Sequence, residues 1–355
     1  MKVMKTGNRI YAVLLILSLL LWSCERNSGN LDTITLKESI NESAAELNDA
    51  MDAITSSKAF SLLTVSESEA KSVSGDSIYR VYIGLDQIKG VYEYQPVTTF
   101  ERGISLIKYF TRTAENSNMV VKMPLKKVER PGSLRHYEAA DSSLTNNFSI
   151  SVSEYHNNYN SFWDYDYILA STISIDNEVA GALNIESLVS PSEGTDYKSE
   201  YSFTDGYSAQ YKYLSGDTTV SGFGIYKDDV LLYDELRQTI RNDTAKFGRE
   251  HLYTLSIGDV QIIKKSGVVA PAIYVGGVLQ TSAVVEVIDR ESDPEASLCK
   301  KRDIRITFDD GTVTTLSALI GGSVENIKLL FESLHSVYFA AYIVDWIAYD
   351  IYYQR

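Results

Sequence analysis

Between residues 197 and 236 the chain alternates between strand-like runs and short polar turns. "YKSEYSF" passes through "TDG" into "YSAQYKYL", through "SGD" into "TTVSGFGIY", and through "KDD" into "VLLYDEL". Apolar and aromatic residues recur every second position within each run, which places them on one face of a strand. Strands this close in sequence, joined by turn chemistry, read as an antiparallel meander. A chain committed to such a sheet must bury one face of it, so the rest of the sequence is searched for what covers that face.

Period-two patterning begins near Ser77, with Tyr79, Val81, Ile83 and Leu85 alternating against more polar neighbours. "GVYEYQP" stops at Pro96, and "MVVKMPLKKV" is interrupted by Pro124, because proline cannot donate to a ladder. "ISLIKYFTR" is a further strand candidate. "NNFSISVSEY" and "FWDYDYILASTISI" flank "HNNYN", whose composition predicts a turn. "RQTIRNDTAKFGREH" is expected to break the meander, with a smaller β section after it and a hairpin around the "DDG" of residues 309–311.

Two segments switch to helical spacing. Leu36, Ile40, Ala44, Leu47, Met51 and Ile54 form one apolar stripe that ends near Ser56 and Ser57. Gly321-Gly322-Ser323 supplies a break and an N-cap, with Glu325 in the first turn. Ile327, Leu330, Leu334, Val337, Ala341, Val344, Ala348 and Ile351 then follow at helical spacing, although the β-branched and aromatic content of 337–353 leaves a strand open. Asp345 and Asp350 interrupt this run, which argues against a membrane span. The expected fold is α+β and β-dominated: an antiparallel meander, curled or half-barrel, with N-terminal and C-terminal helices. Residues 36–286 would carry the first helix and the sheet. Residues 287–355 would carry a charged loop, a hairpin and the last helix, packed on the main body.

Charge and composition narrow the partners. The chain has 47 acidic against 33 basic residues and a formal net charge of −14, which repels nucleic acid and anionic lipid headgroups. The 25 tyrosines against 11 phenylalanines suit strands wet on one face, because the ring packs while the hydroxyl reaches water. The only cysteines are Cys24 and Cys299, too few for a disulfide framework, and Cys299 lies in a charged loop-like stretch.

Cys24 has a specific context. Lys2, Lys5 and Arg9 precede an apolar run from Ala12 to Trp22 that is too short to span a bilayer. Leu21-Trp22-Ser23-Cys24 closes it and resembles the lipobox of bacterial lipoproteins, with leucine three places before the cysteine and a small residue directly before it. Trp22 is bulkier than the pattern's usual residue. The resemblance implies cleavage of residues 1–23, acylation of Cys24, and residues 24–35 as a lipidated tether to the membrane. Several acyl chains anchor firmly, since each buried methylene adds about 0.8 kcal/mol. Asp32-Thr33-Ile34, Asp76-Ser77-Ile78, Asp217-Thr218-Thr219 and Asp243-Thr244-Ala245 resemble the triplet O-glycosylated in exported proteins of Bacteroidota-type bacteria. Together these features imply an exported lipoprotein of the cell envelope, at the outer membrane, facing the periplasm or the surface.

No motif carries a specific catalytic chemistry. Trp163, Tyr165 and Tyr167 would share one strand face, with Asp164 and Asp166 on the other. Tyr207, Tyr211 and Tyr213 form a second aromatic set beside Tyr201 and Phe203. If the sheet curls, these rings would line a surface for a lipid or a glycan; simple cross-strand packing is the favoured explanation of them. Asp164 and Asp166 lack the ligand count of a calcium loop. His136, His156, His251 and His335 have no helical metal spacing, and no glycine pattern matches a phosphate loop, so neither metal nor cofactor is expected. The leading reading is a non-enzymatic module that binds an apolar or amphiphilic ligand. A glycan-binding or scaffold part of an uptake assembly comes second, and a hydrolase using Asp164 and Asp166 third.

Overall fold

The computed structural model describes residues 35–64, 80–95, 106–125, 145–245, 248–289 and 302–354. The first elements are helix α1 (Leu36–Ser56) and the short α2 (Lys58–Thr64). A capping box starts α1: the Thr35 hydroxyl accepts the Glu38 amide proton at 3.3 Å, and the Glu38 carboxylate accepts the Thr35 amide proton at 3.0 Å. The stripe read from the sequence is the buried face. Ile40, Leu47, Met51 and Ile54 are fully enclosed, while Glu46 and Asp49 face water. Each such burial contributes roughly 1.5–3 kcal/mol.

β1 (Val81–Gly84) and one turn of helix, α3 (Leu85–Ile88), precede β2 (Gly90–Tyr94), β3 (Phe110–Ala114) and β4 (Met119–Met123). Then follow β5 (Phe148–Ser161), β6 (Asp164–Ile175), β7 (Glu178–Ser190), β8 (Gly194–Ser202) and β9 (Tyr207–Ser215). After them come β10 (Thr218–Lys227), β11 (Val230–Arg241), β12 (Arg249–Ile257), β13 (Val260–Lys265), β14 (Ala272–Val275) and β15 (Val278–Leu279). These form one open fifteen-stranded sheet. Each strand from β4 to β15 pairs antiparallel with the next in sequence. β2 adds parallel to β4, with β3 outside it. β5 is long enough to hold β4 on its first half and β1 on its second.

The hairpins show why the register holds. Asp176 and Asn177, Asp228 and Asp229, and Gly276 and Gly277 all have positive φ, the requirement of two-residue turns whose twist matches the flanking strands. At the bulge between β6 and β7, a Cβ on Gly181 would stand 2.3 Å from the Ser202 carbonyl oxygen, so only glycine fits unshifted.

Two expectations are corrected. "HNNYN" is not a turn. Residues 156–160 lie in β5, and the chain reverses at Phe162 and Trp163. The asparagines are kept in the strand by partners: Asn157 donates to the Tyr155 and Tyr349 hydroxyls at 3.4 and 3.3 Å, and Tyr159 lies opposite Tyr165. Nor does the β section after "RQTIRNDTAKFGREH" stand apart. β11 runs to Arg241, β12 resumes at Arg249, and β12 to β15 extend the same sheet.

A second, three-stranded sheet holds β16 (Val284–Asp289), β17 (Arg302–Thr307) and β18 (Val313–Thr315), followed by α4 (Leu316–Leu319) and α5 (Ser323–Gln354). The C-terminal segment is helical throughout α5, which removes the strand alternative. Asn48 ties the helical layer together: its side chain donates to the Leu319 carbonyl at 3.4 Å and accepts from the Ser323 hydroxyl at 2.5 Å. From there α5 crosses the large sheet. Phe331 packs on Phe223 of β10 with ring centroids 5.3 Å apart, Tyr338 meets Ser199 of β8 at 2.5 Å, and Asp345 meets Tyr167 of β6 at 3.1 Å. The helices and the large sheet share one hydrophobic core. Among the described residues no helix is long and apolar enough to cross a membrane.

Candidate functional site

Antiparallel register aligns side chains into rows that run across the strands beneath α5. One row reads Tyr155, Leu169, Ile185, Ser199, Tyr211, Phe223, Glu235, Leu255 and Ile262 from β5 to β13. The next reads Asn157, Tyr167, Ser187, Tyr197, Tyr213, Ser221, Arg237, Tyr253 and Lys264. The second row is polar almost throughout yet faces the helical layer. Two different sites result, because α5 covers the two ends of these rows differently.

At the β5–β6 end the cover is close. Asp345 turns its carboxylate toward the sheet, and one oxygen accepts the hydroxyl protons of Tyr155 at 2.8 Å and Tyr167 at 3.1 Å. Burial pushes the Asp345 carboxyl up to about 7, against the pull of the two tyrosine hydrogen bonds. Burial, and then the nearby Asp345 charge, drives the Tyr155 and Tyr167 hydroxyls well above their ordinary range. Burial likewise raises Tyr349 to about 12. Every polar side chain named in this cluster has a partner, so it works as a clasp rather than a vacancy.

At the β10–β13 end α5 and the small sheet stand off the large sheet. A cleft of about 1180 Å³ opens there, a little above the roughly 300–1,000 Å³ of most small-molecule sites. Tyr211, Phe223, Tyr253, Leu255 and Ile262 line its sheet side, and Ile327 and Phe331 line its helix side. Phe331 is half exposed at 50% although it packs on Phe223, so it sits between core and water. The Tyr233 hydroxyl donates to Glu235 on the floor. Burial raises both Tyr233 and Tyr253, with the Glu235 charge next in effect. Arg237, Lys264 and Lys328 stand among these groups, and the Arg237 guanidinium lies 6.0 Å from the Tyr253 ring centroid.

The aromatic residues singled out from sequence fall into different environments. Trp163 is not on a strand face. It forms the β5–β6 hairpin tip with Phe162, rings 4.9 Å apart, and the two are 69% and 68% exposed. The turn falls one residue before β6 begins, which separates Trp163 from the row of Tyr165 and Tyr167. Tyr165 is half-buried, stacks on Tyr159 at 6.3 Å and accepts from Ser187 at 3.3 Å. Tyr167 belongs to the clasp. Tyr207 packs against the core under the Lys227 ammonium, 5.1 Å from its ring. Tyr211 lines the cleft, and Tyr213 is half-buried in the row beside it. The aromatic set thus divides between packing, cleft and exposed tip.

Asp164 and Asp166 lie away from the helical layer. Asp164 is exposed, and Asp166 pairs with His156 at 3.4 Å, whose ring meets Tyr82 edge-on at 5.4 Å. Neither aspartate lines the cleft. His251 contacts the Thr239 hydroxyl at 3.1 Å, and His335 falls within α5. Cys24, Cys299, His136, residues 1–34 and the first two Asp-Ser/Thr triplets lie outside the described residues. Among the described residues no group of histidine, cysteine and carboxylate side chains is arranged to hold a metal.

The residues that build the cleft, Phe223, Arg237, Tyr253 and Phe331, escape a reading of single strands, because the row exists only once the register is known. Asp345 carried a signal: an aspartate in an apolar helix needs buried partners.

Taken together, fold and site define an open antiparallel meander capped by helices on one face, with an aromatic cleft under the first half of its last helix. Comparison with family descriptions, curated proteins and solved structures finds no match.

Proposed function

We propose that this chain is a lipid-anchored, non-enzymatic binding protein of the bacterial cell envelope that holds an apolar or amphiphilic ligand in the cleft between the large sheet, the small sheet and α5. The observation that carries the reading is the half-exposed Phe331, which packs edge-on against Phe223 and near Tyr211 at the wall of a cleft of about 1180 Å³. Apolar surface of this kind favours a ligand that takes it out of water, at roughly 25 cal/mol per Å². The lipobox-like Leu21-Trp22-Ser23-Cys24 supports attachment through Cys24, with residues 24–35 as the tether and the outer membrane as the location. Native mass spectrometry of protein purified without detergent tests the reading. A co-purifying adduct in the mass range of a lipid is expected, and only the bare polypeptide mass contradicts it.

A second reading rests on a different observation, the exposed Phe162–Trp163 tip. Such a tip suits a sugar ring in a glycan-binding or scaffold part of an uptake assembly. Affinity electrophoresis in polysaccharide gels would then show retardation, lost on Trp163→Ala.

A further inference from the structure

We propose that the ligand of the cleft is a single-chain anionic amphiphile, whose head sits beside Arg237 and Lys264 and whose chain runs along Phe223 and Phe331. This rests on the ligand-binding reading above and specifies its chemistry.

The chain carries a net charge of −14, yet the cleft gathers Arg237, Lys264, Arg302 and Lys328. The carboxylates in the lining are Glu235, Asp289 and Asp303. Glu235 accepts the Tyr233 hydroxyl, and Asp303 accepts from the Ser317 amide at 3.2 Å and from its hydroxyl. Asp289 lies opposite Arg302 in the small sheet. Among the described residues no carboxylate forms an ion pair with Arg237 or Lys264, and the Lys328 contact with Glu332 is long, at 3.8 Å. The Lys264 ammonium donates to the carbonyls of Val268, at 2.6 Å, and Val269, which orients it without neutralising it.

Position adds direction. Arg237, Tyr253 and Lys264 are successive members of one cross-strand row. Two strand spacings put their Cα atoms about 10 Å apart, within reach of one headgroup for two long side chains. The neighbouring row supplies Phe223, Leu255 and Ile262 for the chain, with Glu235 between Phe223 and Leu255 turned to the Tyr233 hydroxyl, and α5 presents Lys328 and Phe331 three residues apart on one side. Charge and apolar surface thus lie side by side, as an amphiphile requires.

The test is isothermal titration of the delipidated protein with dodecanoate, dodecyl maltoside and dodecyltrimethylammonium, each below its micelle concentration. Dodecanoate is expected to bind at least roughly tenfold more tightly than the other two, about 1.4 kcal/mol. Arg237→Gln with Lys264→Gln should abolish that preference, and Arg237→Lys should retain most of it. Equal affinity for the three probes, or a preference untouched by the double substitution, overturns the charge assignment alone. No binding of any probe overturns the ligand-binding reading and this proposal with it.

Discussion

Tyr155 donates its hydroxyl proton to Asp345 at 2.8 Å, a bond that joins β5 to α5 across 190 positions of sequence. The same carboxylate oxygen takes the Tyr167 proton at 3.1 Å. One carboxylate thus fastens the far end of α5 to two strands, while the near end stays propped over the cleft.

Stability should fall as pH rises through the titration of Asp345. Its carboxyl is lifted from 3.8 to about 7 in the fold. Between those values the folded chain keeps a proton that the unfolded chain has released, so each pH unit costs up to about 1.4 kcal/mol. The stability is fully present below the unfolded value and fully lost above the folded one. Asp345→Asn removes the titration. Denaturant midpoints of the two proteins should diverge from pH 4.5 to 8 in favour of the variant; parallel curves would refute the assignment.

Asp345→Ala acts differently, because it strands two buried hydroxyls. A cost of about 1–3 kcal/mol for each is expected at pH 5, where Asp345→Asn should be close to neutral. Urea unfolding at that pH separates the two variants. Equal midpoints would mean that the tyrosines find water or other partners.

Gly181→Ala should destabilise the bulge. Its new methyl would press on the Ser202 carbonyl oxygen, 2.3 Å from the ideal Cβ position. A backbone atom cannot yield like a flexible side-chain end, so a loss of about 1–3 kcal/mol in urea unfolding is expected. Trp163→Ala, at the exposed hairpin tip, should stay within about 0.5 kcal/mol. A larger loss for Trp163→Ala would show that the tip is packed against something in solution.

Leu47→Ala tests whether α1 is part of the core or a detachable cover. Leu47 is fully enclosed, and its truncation should cost about 2–5 kcal/mol with a single cooperative transition. A separate early transition would mean that α1 peels away from an otherwise stable sheet.

Much of the architecture was legible because it is local. The Leu36-to-Ile54 stripe, the turn at residues 227–229, and the helix after Ser323 are each written in a few adjacent residues. The misread segments are those where distant partners override local preference. Asn157 is a turn former held in β5 by Tyr349, 192 residues away. The cleft is of the same kind: Arg237, Tyr253 and Lys264 become neighbours only through the pairing of three strands. Tyr211 was visible as an aromatic residue, but its opposition to Phe331 was not.

On the proposed reading the cleft, and not the aromatic hairpin tip, receives the ligand. Hydrogen–deuterium exchange with and without dodecanoate addresses it directly. Slowed exchange is expected in β10 to β13 and in residues 323–335 of α5, with no change at residues 158–166. Protection confined to residues 158–166, or none anywhere at saturating dodecanoate, would contradict it.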